Sequence, residues 1–80
     1  MPATAATVNH LERIRVAEGL SITRLASLAG VSVKTIDRAE AGEPGVTARI
    51  KHKIVRGLNK NPDKGREFSF RDVFPNDREY

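Results

Sequence analysis

The segment from Val33 to Arg38 holds side chains suited to binding an anionic or hydrogen-bonding partner, because Lys34 and Arg38 stand one helical turn apart. An arginine fork matches the O6 and N7 acceptors of guanine or the oxygens of a phosphate, and a lysine binds either with less geometric selectivity. If the segment is a helix with Ile36 turned inward, then Val33, Lys34, Asp37 and Arg38 lie on its outward arc. These four residues are the candidate base-contacting set for a chain that binds DNA.

The two members of this set that are not cationic have narrower roles. Val33 offers an apolar contact for a thymine methyl group. Asp37 repels phosphate, so it either accepts a hydrogen bond from a cytosine amino group or offsets the charges of Lys34 and Arg38.

The elements that must position this arc are two short helices joined by a tight turn. Leu25, Ala26 and Ala29 recur at helical spacing, and Ala26 is small enough to let the two helices approach. Gly30 ends the first helix at little steric cost, and Ser32 is the expected N-cap of the second. This arrangement is typical of a helix-turn-helix, whose second helix commonly enters the major groove of DNA.

Helical periodicity and capping residues predict an all-α fold, a compact bundle of four to five short helices. The predicted helices span residues 10–18, 22–29, 33–41, 48–59 and a last turn at 69–74, with caps at Asn9, Ser21, Ser32, Thr47 and Ser69. The expected domain covers residues 9–75, between a flexible N-terminal segment at 1–8 and a C-terminal tail at 76–80.

The first and fourth predicted helices show which faces turn inward. The first directs Leu11, Ile14 and Ala17 toward the core. In the fourth, apolar residues recur every four positions, and a basic stripe about 60° wide runs beside them. The apolar positions are Val46, Ile50, Ile54 and Leu58, and the basic positions are Arg49, Lys53, Arg56 and Lys60.

Composition limits the class of protein. The 80 residues allow one small core, and the absence of cysteine excludes disulfides and thiolate metal sites. The net charge of +4 favours a polyanionic partner, and residues 46–66 hold seven basic groups against one acidic group. Since no apolar run reaches the roughly 18 residues of a transmembrane helix and no signal-peptide pattern is present, we expect a cytoplasmic protein with no membrane partner.

The sequence predicts neither an enzyme nor a cofactor or metal site. His10 and His52 lie far apart, and neither has a second histidine or a carboxylate at ligand spacing. The GEPG stretch at 42–45 lacks the lysine and the helix context of a phosphate-binding loop. A structural role is therefore expected for both histidines.

With these elements in place, residues 11–75 resemble the Cro/C1-type helix-turn-helix family of phage and bacterial repressors, the lambda repressor-like proteins. The matching pieces are LERIR-VAEGLS, LASLAGVSVKTIDRAEAG, KIVRGLN and DVFP. The resemblance implies five short helices, with the third reading bases of double-stranded DNA in a sequence-specific transcriptional regulator of the repressor type, located at the nucleoid. It also implies a homodimer on a two-fold symmetric operator.

The resemblance and the helix ends assign roles to further residues. The family pattern implies that Arg15 pairs with Glu40 in a bidentate contact that locks helix 1 to helix 3. Helix N-termini offer free backbone N–H groups to anions, and the family docks its fourth helix by that end. Arg49 and Lys51 are therefore better candidates for phosphate contact than Arg56 and Lys60, whose charge would raise only the long-range field. The candidate DNA-backbone contacts are Ser21, Thr23, Ser32, Thr35, Thr47, Arg49 and Lys51.

The chain departs from the family pattern at two residues and in one connection. Ile22 stands where a glutamine often contacts phosphate, so that polar contact is missing. Ala39 stands where a large aliphatic residue is usual, and a different packing of the fourth or fifth helix must fill the space. The connection at 59–68 is also longer than usual.

An alternative function stays open, because the same fold serves as an antitoxin or a protein-interaction adaptor. The segment FSFRDVFPNDREY would support it, since it holds four aromatic residues in thirteen. More often such a segment packs Phe70, Val73 and Phe74 onto the bundle and leaves one or two aromatic residues for a contact between two copies of the chain. We expect that contact at the end of the fourth helix, the following loop and the fifth helix, around Phe68, Phe70 and Phe74, because these aromatic residues exceed what one small bundle needs. An adaptor would lack the strongly salt-dependent DNA binding of a repressor.

Overall fold

Five α-helices make up the fold. The structure, a computed structural model, describes residues 9–77, and its helices are α1 (Leu11–Ala17), α2 (Ile22–Ala29), α3 (Val33–Glu40), α4 (Ala48–Asn59) and α5 (Phe70–Val73). No strand occurs within residues 9–77, and the prediction of an all-α bundle is confirmed. The N-terminal segment 1–8 and the last three residues of the predicted tail lie outside the described residues.

Hydroxyl side chains start four of the helices. In each case the hydroxyl of the N-cap residue accepts a hydrogen bond from the backbone N–H three residues further along the chain. The N-caps of α2, α3, α4 and α5 are Ser21, Ser32, Thr47 and Ser69. At α5 the Asp72 carboxylate accepts in return from the Ser69 N–H at 2.9 Å, which completes a capping box. That backbone bond, the Ser69 hydroxyl and Arg66 lower the pKa of Asp72. The cap therefore contributes stability above the ordinary carboxyl pKa and loses it as the pH falls through the lowered value.

The start of α1 is tied to two other helices. Asn9 Oδ1 accepts from the Leu11 N–H at 3.0 Å, and Asn9 Nδ2 donates to the Ala39 carbonyl at 2.9 Å. The next residue, His10, donates its N–H to the Val73 carbonyl at 2.9 Å. Asn9 thus satisfies an N–H of the first turn of α1, but the N-cap is His10, whose side chain makes no capping bond, so the prediction of an N-cap at Asn9 is wrong by one residue. Asn9 also holds α1 against the last turn of α3.

The centre of the core is the contact between α2 and α4. A Cβ atom added to Gly57 would lie 2.8 Å from the N, Cα and Cβ atoms of Ala29. Because both residues are small, α4 packs directly against the backbone of α2. Ile54 and Leu58 on α4 are completely buried, and Ile50 is half-buried in the first turn of that helix.

Two helix faces differ from their sequence predictions. Ala17 is exposed, because it lies about 120° around α1 from the buried Leu11. The buried face of α4 is wider than the predicted apolar stripe, since it also contains Lys51 and Val55. Lys51 lies seven residues before Leu58 and therefore on the same side of the helix.

The three phenylalanines are core residues of a single chain. Phe68 and Phe70 are each 5% exposed and Phe74 is 0% exposed, with the rings of Phe70 and Phe74 centred 5.4 Å apart. Their rings add side-chain volume to a core in which Ala39 is small. The chain has no tryptophan, so the phenylalanines are its largest core side chains. Phe70, Val73 and Phe74 therefore pack onto the bundle, as the first interpretation expects, and the prediction that the phenylalanine rings form a contact between two copies is wrong. Tyr80, the fourth aromatic residue of that segment, lies outside the described residues.

The long connection between α4 and α5 is held by side-chain bonds to the backbone. Asn59 Oδ1 accepts from the Phe68 N–H and Asn59 Nδ2 donates to the Phe68 carbonyl, both at 2.8 Å. The Glu18 carboxylate, just after α1, accepts from the Gly65 N–H at 2.8 Å. These bonds anchor the connection to α4 and to the end of α1.

We predict that Gly57→Ala destabilises the fold, although alanine is the better helix former by about 1 kcal/mol. The new methyl group meets Ala29 backbone atoms that cannot move aside without separating α2 from α4. The expected net loss is about 1–3 kcal/mol in the free energy of unfolding, measured by chemical denaturation. Gly45→Ala, where nothing lies within 4 Å of the added Cβ, is the control and should be neutral or slightly stabilising. If Gly57→Ala and the parent chain had equal free energies of unfolding, the close contact between Gly57 and Ala29 would be contradicted.

Candidate nucleic-acid interface

The turn between α2 and α3 fixes how α3 is presented. Gly30 ends α2 in the left-handed conformation with a φ of 72°, and the Val31 N–H donates to the Ala26 carbonyl at 3.0 Å. After the turn, α3 buries Ile36 and Ala39, which are both 0% exposed. One face of α3 is therefore held in the core, and the opposite face is turned to solvent.

The solvent face of α3 carries the four residues that the sequence assigns to base contact. Val33, Lys34, Asp37 and Arg38 are all exposed, and they span an arc of about 140° around the helix. Val33 is 46% exposed, which is unusual for a large aliphatic side chain in this fold. Asp37 makes no ion pair within residues 9–77. Its carboxylate therefore reduces the charge of Lys34 and Arg38 only through longer-range electrostatic attraction.

Glu43 lies beside this face and was not singled out by the sequence patterns. Its carboxylate is 3.9 Å from Arg38 Nε, and its N–H donates to the Arg38 carbonyl at 3.1 Å. Arg38 and Glu43 line a cleft together with Ile50, so the first turn of α4 adjoins the middle of α3. Helical spacing could not reveal the pair, because Gly42 turns the chain after α3 with a φ of 74°.

The starts of α2, α3 and α4 have their hydroxyl groups engaged locally. Ser21, Ser32 and Thr47 each accept from an N–H of their own helix, and Ser32 Oγ also lies 2.8 Å from Thr35 Oγ1. What these ends offer to an anion is therefore the N–H groups of the first turn, which an α-helix leaves without a partner of its own. Thr23 is exposed in the first turn of α2.

Arg49 and Lys51 have opposite surroundings, although both were predicted to contact phosphate. Arg49 is exposed in the first turn of α4. Lys51 is 8% exposed, with its ammonium 3.1 Å from Asp77 Oδ2 and 5.5 Å from the centre of the Phe74 ring. Because the Lys51 charge is buried and paired, the structure gives it an internal role and brings Asp77 onto the folded domain.

Arg15 and Glu40 join α1 to the last residue of α3. Arg15 Nε donates to Glu40 Oε2, and the two side chains are 12% and 8% exposed. The implied bidentate geometry is not present, because Arg15 Nη1 instead donates to the Leu20 carbonyl at 2.9 Å. One guanidinium thereby fixes both the end of α3 and the turn before α2.

Neither a metal-binding cluster nor a membrane-spanning helix occurs in the described part of the chain. Within residues 9–77, no cluster of three or more histidine, aspartate or glutamate side chains is placed to hold a metal ion. The His52 ring packs against Phe70, with ring centres 4.4 Å apart. No helix there is long and apolar enough to cross a membrane.

Comparison with known proteins agrees with this geometry. The family model for helix-turn-helix proteins matches residues 11–64, which is more than half of the chain. The chain therefore belongs to the Cro/C1-type helix-turn-helix family of DNA-binding regulators, a family that is not typically enzymatic. No curated protein and no solved structure shows a significant match.

We predict that Arg15→Ala destabilises the fold by about 3–5 kcal/mol, because it leaves the buried Glu40 carboxylate without its partner. The exposed neighbour Arg13 is the matched control, and Arg13→Ala should change the free energy of unfolding by less than about 0.5 kcal/mol. Urea denaturation of the two variants measures the difference. Indistinguishable midpoints would mean that the Arg15–Glu40 pair contributes nothing to the fold.

Proposed function

We propose that this protein is a transcriptional repressor of the phage or bacterial type, which binds a specific site in double-stranded DNA and reads it with α3 in the major groove. The observation that carries the proposal is the solvent face of α3, where Val33, Lys34 and Arg38 stand opposite a buried Ile36. A face held in this way presents its side chains in one fixed orientation, as direct reading of bases requires. A domain seated on DNA also blocks other proteins from the base pairs that it covers, which favours repression.

The proposed base contacts divide by chemistry. Arg38 donates hydrogen bonds to O6 and N7 of a guanine, and Lys34 in the first turn donates to a guanine or to a nearby phosphate. Val33 contacts a thymine methyl group, and Asp37 accepts from a cytosine amino group. Of these, Arg38 is the most discriminating, because its planar fork matches one base geometry.

The proposed contacts to the DNA backbone lie at helix starts. They fix the position of α3 on the duplex without reading sequence. The partial positive charge of each N-terminus and the unpaired N–H groups there favour a phosphate. The residues involved are Ser21, Thr23, Ser32, Thr35, Thr47 and Arg49, and Lys51 is left out because its ammonium is buried against Asp77.

We further propose that two copies bind DNA together. One copy of α3 touches only a few base pairs, which is too short a site to be unique in a genome. Two copies related by a two-fold axis double the length of the site. Because the phenylalanines are buried within each chain, the contact between copies uses other surface residues.

No observation favours the antitoxin or adaptor alternative over DNA binding. The feature that suggested it was the segment FSFRDVFPNDREY, with four aromatic residues in thirteen. Three of the four, Phe68, Phe70 and Phe74, pack in the core and so do not offer their rings to a partner protein.

We predict that Arg38→Ala relaxes base preference, whereas Arg49→Ala does not. If Arg38 contacts a guanine with both donors, its loss should remove about 1–3 kcal/mol of discrimination at one base pair. Arg49→Ala should weaken binding to all duplexes alike and reduce the slope of log K against log salt by about one. Competition binding with single-base variants of the preferred duplex measures both effects. Uniform weakening by Arg38→Ala would show that Arg38 holds phosphate and would overturn the proposed reading role.

We predict that the preferred site contains two inverted half-sites with centres about 10 bp apart, each bound by one copy. Titration of the chain against that duplex, followed by light scattering, should end at two chains per duplex. The free chain should be monomeric at low concentration, because the exposed large hydrophobic side chains of residues 9–77 are Val16 and Val33, which lie on different helices. Saturation at one chain per duplex, or a preferred site without inverted symmetry, would contradict the dimer.

A further inference from the structure

The exposed face of α4 carries a row of cations that the contacts proposed above leave largely unused. Arg49, Arg56 and Lys60 are exposed and Lys53 is half-exposed. All four lie within an arc of about 60° and extend over about 16 Å of helix axis. These residues are called the α4 basic stripe below.

The charges of this stripe are not neutralised by the rest of the described chain. No member makes an ion pair with a carboxylate of residues 9–77. Lys64 and Arg66, by contrast, have acidic partners in Glu67 and Asp72, whereas Arg13, Arg24 and Lys34 are single cations without an ion pair within residues 9–77. What distinguishes the stripe is that four unpaired cations lie together along one face of α4.

The stripe is also held rigidly and is continuous with the proposed DNA-reading face. The opposite side of α4 buries Ile54 and Leu58, and Gly57 is buried between that side and the stripe, which prevents the helix from rotating. At its start, α4 adjoins α3 across the cleft that Arg38 and Ile50 line. A row of cations thus begins beside α3 and continues along α4.

We propose that the α4 basic stripe binds the phosphate backbone of double-stranded DNA without reading sequence, and that it extends the contact beyond the base pairs covered by α3. The inference rests on the proposed function, since the duplex is the one that α3 reads. Lys53, Arg56 and Lys60 are the residues that it adds to the interface.

The side-chain chemistry favours a nucleic acid over an acidic protein as the occupant. Lysine is depleted at protein–protein interfaces, whose centres are enriched in aromatic residues, methionine and arginine, so an interface with a protein would be expected to add apolar residues to the arginines. The stripe contains two lysines, two arginines and no aromatic or aliphatic residue. Such a row suits an evenly charged phosphate backbone, to which sequence-independent binding is almost wholly electrostatic.

The test is the double variant Arg56→Ala/Lys60→Ala, with binding measured against a 30-bp duplex of unrelated sequence over a range of salt concentrations. Losing two phosphate contacts should lower the slope of log K against log salt by about 1.8. The matched control is Arg13→Ala/Arg66→Ala, which removes the same charge from the groove between α1 and the connection after α4. The control should leave the slope nearly unchanged, and thermal melts should show both variants folded.

Three other results would overturn the proposal that the α4 basic stripe binds DNA. Equal loss of affinity in the two variants would mean that net charge alone acts, and an unchanged slope in both would mean that the stripe does not touch DNA. Either result overturns the proposal. Tighter binding of fluorescent polyglutamate than of the duplex, lost in Arg56→Ala/Lys60→Ala, would assign the stripe to an acidic polypeptide and would also overturn it.

The result can be separated from the test of the proposed function. The stripe variant should weaken binding to the preferred and unrelated duplexes by the same factor, so the base preference should stay unchanged. If the chain shows no base preference at all, the proposed reading by α3 fails while the stripe result stands. If the preference is present and the stripe variant binds like the parent, this inference alone fails.

Discussion

The structure depends on one constraint: α3 must be held from one side and left free on the other. Ile36 and Ala39 are buried completely, and the last turn of α3 is bonded from two directions. Asn9 donates to the Ala39 carbonyl, and Arg15 pairs with Glu40. These contacts determine which residues of α3 reach solvent. A loosely held helix would lose the fixed geometry that base reading requires.

The cations of the chain divide between the interior and the surface. Lys51 is buried and Arg15 partly buried, each with a carboxylate partner, so they contribute to the fold and cannot reach another molecule without breaking those pairs. Lys34 and Arg49 are exposed and make no ion pair within residues 9–77, and Arg38 has a distant, exposed partner in Glu43. Counting charges along the sequence does not make this distinction, because burial separates Lys51 from Arg49 within one helical turn.

Much of the fold could be predicted, because the chain marks its helices with capping residues. Ser21, Ser32 and Thr47 stand directly before helices, and the bounds of α2 and α4 agree with prediction. The buried role of Lys51 was missed, although its spacing of seven residues from Leu58 was a signal for it. Packing of Phe70 and Phe74 onto the bundle was anticipated, but the burial of all three phenylalanines could not be predicted, because they lie around a single helical turn and a loop, where no period shows which side faces the core.

We propose that the solvent face of α3 and the adjoining start of α4 form the surface that meets DNA. The most direct test is to map backbone amide chemical shifts in the labelled chain as the preferred duplex, enriched from a random pool, is added. We expect the largest changes from Val33 to Arg38 and at Arg49, with little change in the groove lined by Arg13 and Phe68. Changes that concentrate in that groove and spare α3 would contradict the account.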